Sequence, residues 1–222
     1  MGDILASVVV IVVVGIIIAV LFVVTGKKKK EREASIRQLA HDSGWQYEKV
    51  SQAQSSGFIL RGEDWKLEAL VNSTATPSEA GSSNVSFSNK WSTTTASSPG
   101  GMVLIGPKTP SIQLGGLDAL FLQKALRLMI GEEADQAVGL AEVFVGRTAF
   151  RDRYSVWATN QASAEKLLSF ELENALLNWK FKELPVLRAT NIAIEITTMQ
   201  ERMDTPEKVQ AMIDVGMALL GI

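Results

Sequence analysis

Cysteine is absent from this chain of 222 residues, and histidine occurs once. Without cysteine there is no disulfide framework, no thiolate nucleophile and no cysteine-based zinc site. With His41 alone, no site that needs two imidazoles can be built within one chain. No serine stands in a nucleophile-elbow pattern, and any triad would rest on that single ring. A basic excess is also missing from the bulk of the chain. Residues 1–33 hold five basic and three acidic side chains, and the remaining 189 hold 17 basic and 21 acidic. That mildly acidic remainder argues against nucleic acid as a partner, because neutralising phosphate needs clustered Lys and Arg. No internal repeat is visible, and no motif implies a cofactor.

One long hydrophobic run is present, residues 4–26, ILASVVVIVVVGIIIAVLFVVTG, without a charged side chain. As a helix its 23 residues would span about 34 Å, against roughly 30 Å of hydrocarbon. Seventeen of the residues in 4–24 are Val, Ile, Leu or Phe. At roughly −0.3 to −0.6 kcal/mol each they favour insertion by several kcal/mol. A cleaved signal peptide would have a basic start and a shorter apolar core. Here Met1-Gly2-Asp3 precedes the run and Lys27–Lys30 follow it, so an uncleaved anchor is expected.

Lys27, Lys28, Lys29, Lys30 and Arg32 lie after the run, and Asp3 is the only charged side chain before it. The positive-inside rule then sets the N-terminus outside and the C-terminal domain in the cytoplasm, at the inner membrane. The five basic residues are expected to contact the membrane surface as a stop-transfer flank, not as a specific lipid motif. The chain thus divides into an anchor (1–26), a basic juxtamembrane segment (27–33) and a cytoplasmic domain (34–222).

Within that domain the spacing predicts a helix from Glu33 to Ser43, ended by Gly44 at C′ with Trp45 packing back. Short strands are expected at Gln46–Val50, Phe58–Arg61, Asp64–Val71 and Gly101–Gly106. Residues 72–83 read as a polar loop. Asn84–Thr95 alternates, with Val85, Phe87 and Trp91 on one side, but its polar face suggests an exposed or edge strand. Leu117–Ile130 reads as a strongly apolar helix, Glu142–Phe150 and Arg153–Thr159 as a strand pair, and Ser163–Trp179 as one amphipathic helix. Asn191–Thr198 is a strand with Ile192, Ile194 and Ile196 inward. Thr205-Pro206-Glu207 opens the last helix as cap, N1 proline and first-turn acid, and Gly221 ends it. Such an order of elements implies an α+β domain, a mainly antiparallel sheet covered by helices.

Several motifs invite chemistry and fail on detail. Gly101-Met-Val-Leu-Ile-Gly106-Pro107-Lys108-Thr109 resembles a phosphate loop, but Pro107 separates glycine from lysine and has no N–H to offer. His41 sits near a helix end, where the dipole favours a cation. Glu132, Glu133 and Asp135 could offer carboxylates to Mg²⁺, but consecutive acids after a helix usually face solvent. Arg151 and Arg153 flank a turn and could hold an anion or an acidic partner. Trp91 is marked as a partner contact because its strand is otherwise polar.

The segments Leu39…Gly44-Trp45-Gln46-Tyr47, Phe58-Ile-Leu-Arg-Gly62, Trp65-Lys-Leu-Glu-Ala69 and Tyr154-Ser-Val-Trp-Ala158, followed by Ala164-Glu-Lys-Leu-Leu168, resemble a loose group of bacterial single-pass proteins. These pair a short anchor with a cytoplasmic domain of unknown function. The resemblance implies architecture and topology and brings no catalytic residues. The expectation is a membrane-anchored, non-catalytic interaction module that binds a protein partner or itself. The alternatives are a lipid or amphiphile binder beside the bilayer, suggested by helix 117–130, and a carboxylate-dependent hydrolase.

Overall fold

The computed structural model describes residues 24–75, 83–95, 101–108 and 139–221. Among them nine strands form one sheet: β1 (Gln46–Ser51), β2 (Ser55–Arg61), β3 (Lys66–Ala75), β4 (Ser83–Thr93), β5 (Val103–Pro107), β6 (Ala141–Val143), β7 (Tyr154–Ala158), β8 (Val186–Ala189) and β9 (Ile194–Thr198). Their spatial order is β1-β2-β3-β4-β9-β8-β5-β7-β6, and every neighbouring pair is antiparallel. The described helices are α1 (24–42), α2 (Thr148–Arg151), α3 (Gln161–Leu167), α4 (Phe170–Leu177) and α5 (Pro206–Leu220). The domain is α+β with a large antiparallel sheet.

The register places one side chain from each strand in a continuous row: Tyr47, Leu60, Leu67, Trp91, Ile196, Leu187, Ile105, Val156 and Val143. Directly opposed residues share a face, so the row forms a single apolar ridge. All five helices bury residues on this side: Ile36 and Ala40 from α1, Phe150 from α2, Ala164 from α3, Leu172 and Leu176 from α4, and Val209, Met212 and Ile213 from α5. Strand alternation sends the intervening residues to the opposite face. There Lys90 and Arg188 meet Glu195 on one half, and Met102, Leu104, Leu140 and Trp157 cluster on the other.

Local signals set the helix ends. At the end of α1, Gly44 has φ +71°, a conformation that glycine adopts without a Cβ penalty. The Trp45 amide donates to Ala40 and the Gly44 amide to His41, the paired bonds of a Schellman cap. Thr205 caps α5, accepting from the Lys208 amide, with Pro206 at N1 and Gly221 in the left-handed region.

Several expectations are corrected. Helix α1 is present from residue 24, ahead of the expected Glu33. Strand β3 continues to Ala75, inside the expected polar loop. β4 is fourth of nine strands, so it is not an edge. Ser86, Ser88, Lys90 and Ser92 lie on the face away from Trp91, the solvated side of an antiparallel sheet, which needs no edge position. Of the expected strand 142–150 only Glu142 and Val143 pair, as the end of β6, and 148–151 forms α2. The expected helix 163–179 is two helices, because the Ser169 hydroxyl accepts from the Leu172 amide and restarts the chain as an N-cap. Ile192 is 74% exposed, since Thr190 folds 190–193 into a turn by accepting from the amides of Ile192 and Ala193. Strand β8 was not anticipated. The expected helix 117–130 lies outside the described residues, as does the expected span 4–26 apart from its last three residues, which are helical. Among the described residues no helix is long and apolar enough to cross a membrane.

Trp91 is fully buried in the middle of the ridge, beneath Gly216 of α5. Burying such a ring contributes roughly 4–6 kcal/mol as an upper bound. A Cβ at position 216 would fall 2.2 Å from the Trp91 ring. Gly→Ala within a helix ordinarily gains about 0.5–1 kcal/mol. Here we expect Gly216→Ala to lower stability by about 1–3 kcal/mol, the usual cost of overpacking. Urea unfolding of the full chain in mild detergent measures this, and an unchanged or higher midpoint would contradict the packing described.

Candidate functional site

A concavity of about 450 Å³ lies between α1, the β1–β2 hairpin and the segment leading into α5. From α1 it is lined by Thr25, Lys28, Lys29, Arg32, Glu33 and Ile36. These positions recur at three- and four-residue intervals, so they form one stripe along the helix. Its apolar lining includes Tyr47, Val50 and Phe58 from the hairpin. Tyr47 stacks on Phe58 with ring centroids 6.0 Å apart, and the Arg37 guanidinium lies 5.0 Å from the centre of the Tyr47 ring. Lys49, Arg202 and Asp204 complete the charged rim. The lining carries five basic and two acidic side chains, an excess of three positive charges.

Both acids are already engaged. Lys49 Nζ donates to the two Glu33 oxygens at 2.7 Å, and Arg37 donates to Glu33 at 3.3 Å. The Lys49 bond is the main reason that the Glu33 carboxyl is held below the usual range, against a smaller opposing effect of desolvation. Asp204 accepts from Arg32 and lies 3.9 Å from Arg202 Nε. Two ion pairs therefore fasten α1 to the domain, one to β1 and one to the loop before α5. Burial, with the negative Glu33 nearby, pushes the Tyr47 hydroxyl above its ordinary pKa, so it stays a neutral donor at physiological pH. Lys28 and Lys29 form no ion pair with the described residues.

The basic residues of 27–32 are thus divided by the helix. Lys28, Lys29 and Arg32 line the cleft, whereas Lys27 and Lys30 do not. Lys27 instead lies 3.9 Å from Glu31, one turn on. Lys49 and Arg202 belong to the same site but lie far from the basic run in sequence. No local motif marks them, and only the fold brings them there.

The other residues singled out by sequence do not line the cleft. Arg153 donates from Nη1 to the Leu177 carbonyl at 2.7 Å and from Nη2 to the Trp179 carbonyl at 2.9 Å. It satisfies carbonyls at the C-terminus of α4, where a cation also complements the helix dipole. Arg151 stays exposed, with a 3.4 Å bond to Thr148 Oγ1. The two arginines are not gathered into one anion site. Trp91, expected as a partner contact, is buried, and its Nε1 has no hydrogen-bond partner among the described residues. Residues 103–107 of the phosphate-loop look-alike form the buried strand β5. His41 is exposed, with Nδ1 3.3 Å from Asp42. Glu132, Glu133 and Asp135 lie outside the described residues. Among those described, no group of three or more His, Asp or Glu side chains could hold a metal ion.

Comparison with protein-family models, with curated proteins and with solved structures finds no match.

Two measurements test these assignments. Arg153→Ala should cost about 1.5–3 kcal/mol, typical for losing hydrogen bonds from a charged group. Arg151→Ala should stay within about 0.5 kcal/mol, as for ordinary surface positions. Thermal or urea unfolding distinguishes them, and equal effects would refute the capping role. For the α1 clasp, the folded Glu33 pKa is depressed. Its contribution is therefore present above the unfolded carboxylate range and is lost as pH falls through the folded value. Lys49→Met should destabilise by about 0.2–1 kcal/mol at pH 7. The difference from the parent should shrink toward zero as the medium is acidified below the carboxylate range. A gap that persists in acid would show that the clasp is not electrostatic.

Proposed function

We propose that this chain is a single-pass, membrane-anchored binding module, with its folded domain at the cytoplasmic face of the inner membrane and no catalytic role. Residues 4–26 act as the anchor, with the N-terminus outside. The reading rests on the hydrophobic run, on the basic residues that follow it and on one structural observation. Helix α1 runs without a break from residue 24 to a core docked by Ile36 and Ala40, and the ion pairs of Arg32 and Glu33 clasp it on the way.

A rigid link of this kind has a functional meaning. A flexible tether leaves a domain free to search the cytoplasm. A clasped helix fixes both the height and the facing of the domain. From Thr25 to Ile36 the helix rises about 16 Å, so the cleft would open immediately beneath the bilayer. A ligand resident at the membrane surface is the one that such a mounting serves best. The protein partner or second copy expected from the sequence would find exposed aromatic surface at Phe144 and Phe170, 77% and 63% exposed, beside Arg147, whose guanidinium lies 5.0 Å over Phe170.

The lack of native cysteine makes topology directly measurable. Single substitutions Asp3→Cys and Asp214→Cys place one thiol at each end of the chain. In intact spheroplasts a membrane-impermeant maleimide should label position 3 and leave position 214 unlabelled until lysis. Labelling of position 214 from outside, or recovery of the protein in the soluble fraction, would refute the proposed topology.

A further inference from the structure

We propose that the cleft between α1 and the β1–β2 hairpin is a binding site for the headgroup of an anionic phospholipid, with the phosphate held by Lys28, Lys29 and Arg202. The inference deepens the function proposed above and rests on its membrane topology.

Two features of the cleft converge on this ligand. The first is charge. The lining has an excess of three positive charges, and its two carboxylates are taken up by Lys49, Arg37 and Arg32. Lys28 and Lys29 form no ion pair with the described residues, so an incoming phosphate need not displace an existing bond to reach them. Ammonium and guanidinium groups make short, strong bonds to phosphate oxygens.

The second is position. The headgroup layer on each side of a bilayer is roughly 5–8 Å thick. Lys28 and Lys29 follow residue 26, the end of the proposed span, by two and three residues, a rise of about 3–5 Å along the helix. Their ammonium groups therefore stand at the depth of the lipid phosphates.

The division of the basic run supplies a sharp test. Lys28 and Lys29 line the cleft and Lys27 and Lys30 do not, yet all four lie in one short segment. A diffuse electrostatic collar would respond equally to the loss of either pair. The full chain in neutral detergent is mixed with short-chain phosphatidylglycerol, phosphatidylcholine of equal chain length, or glycerol 3-phosphate, and retained ligand is read by native mass spectrometry. Phosphatidylglycerol should be retained at least about tenfold better than either competitor. Lys28→Gln/Lys29→Gln should reduce its retention by about tenfold or more, through loss of two charge-assisted contacts. Lys27→Gln/Lys30→Gln should stay within about twofold.

Equal loss in the two double variants would overturn the site in favour of a diffuse collar. Equal retention of phosphatidylcholine would overturn anion recognition. Retention of glycerol 3-phosphate as strong as that of the lipid would assign the cleft to a free phosphate ester instead. The measurement in detergent is independent of sidedness. A negative result together with the expected cysteine labelling removes the lipid site alone, whereas labelling of position 214 from outside removes the topology on which it depends.

Discussion

A single apolar ridge holds the domain together. Nine strands contribute one side chain each, from Tyr47 at one edge to Val143 at the other, and the register leaves no gap between them. All the described helices rest on that side of the sheet. Because side chains alternate along a strand, sliding β3, β4 or β9 by one residue would turn its contribution outward and bring Lys66 or Glu68, Lys90 or Ser92, Glu195 or Thr197 to the helix side. At its middle the ridge is fixed by contact between a tryptophan ring and a glycine, Trp91 against Gly216, which lets α5 lie close to β4. The two halves of the sheet meet at the pairing of β4 with β9, so this contact sits beside the seam.

The cleft is a product of the same arrangement. α1 reaches the ridge only through its last turns, at Ile36 and Ala40. Its earlier turns stand clear of the core and are held by charge instead of by packing. What separates helix from hairpin there is the space that the cleft occupies. Polar fastening of an otherwise exposed helix leaves the bases on its inner stripe pointed at an apolar wall, and this combination of charge and grease gives the site its chemical character.

Much of the fold was readable from residue order. The Gly44 cap, the Thr205-Pro206 start, the alternation of Leu67 and Ala69 and the strand nature of 103–107 are local matters, decided by backbone preference and by period. The errors have local causes that period alone does not weigh. Ser169 interrupts an apolar stripe that continues on either side of it, so two helices looked like one. Thr190 turns the chain before Ile192, although Ile192 keeps the alternation of the strand that follows. β8 has four residues, too few for a period to show. Trp91 reads as exposed from sequence because a polar face marks both sheet edges and the solvated side of a central strand, and β4 is central. The cleft was half legible: the basic run was plain, but its division by helix geometry, and its completion by Lys49 and Arg202, are properties of the folded chain.

The strand order also dictates when the molecule can finish forming. β1 to β4 are consecutive neighbours, so they can assemble as a meander while later residues are still being made. β4 must then wait for β9, whose Thr198 lies 109 positions beyond its partner Asn89. The entropic cost of closing so large a loop grows only logarithmically with its length, but the closure is slow. During synthesis the nascent meander presents an unsatisfied strand, with Trp91 uncovered, until the final helix leaves the ribosome. Chaperone engagement, if the cell provides it, belongs in that interval.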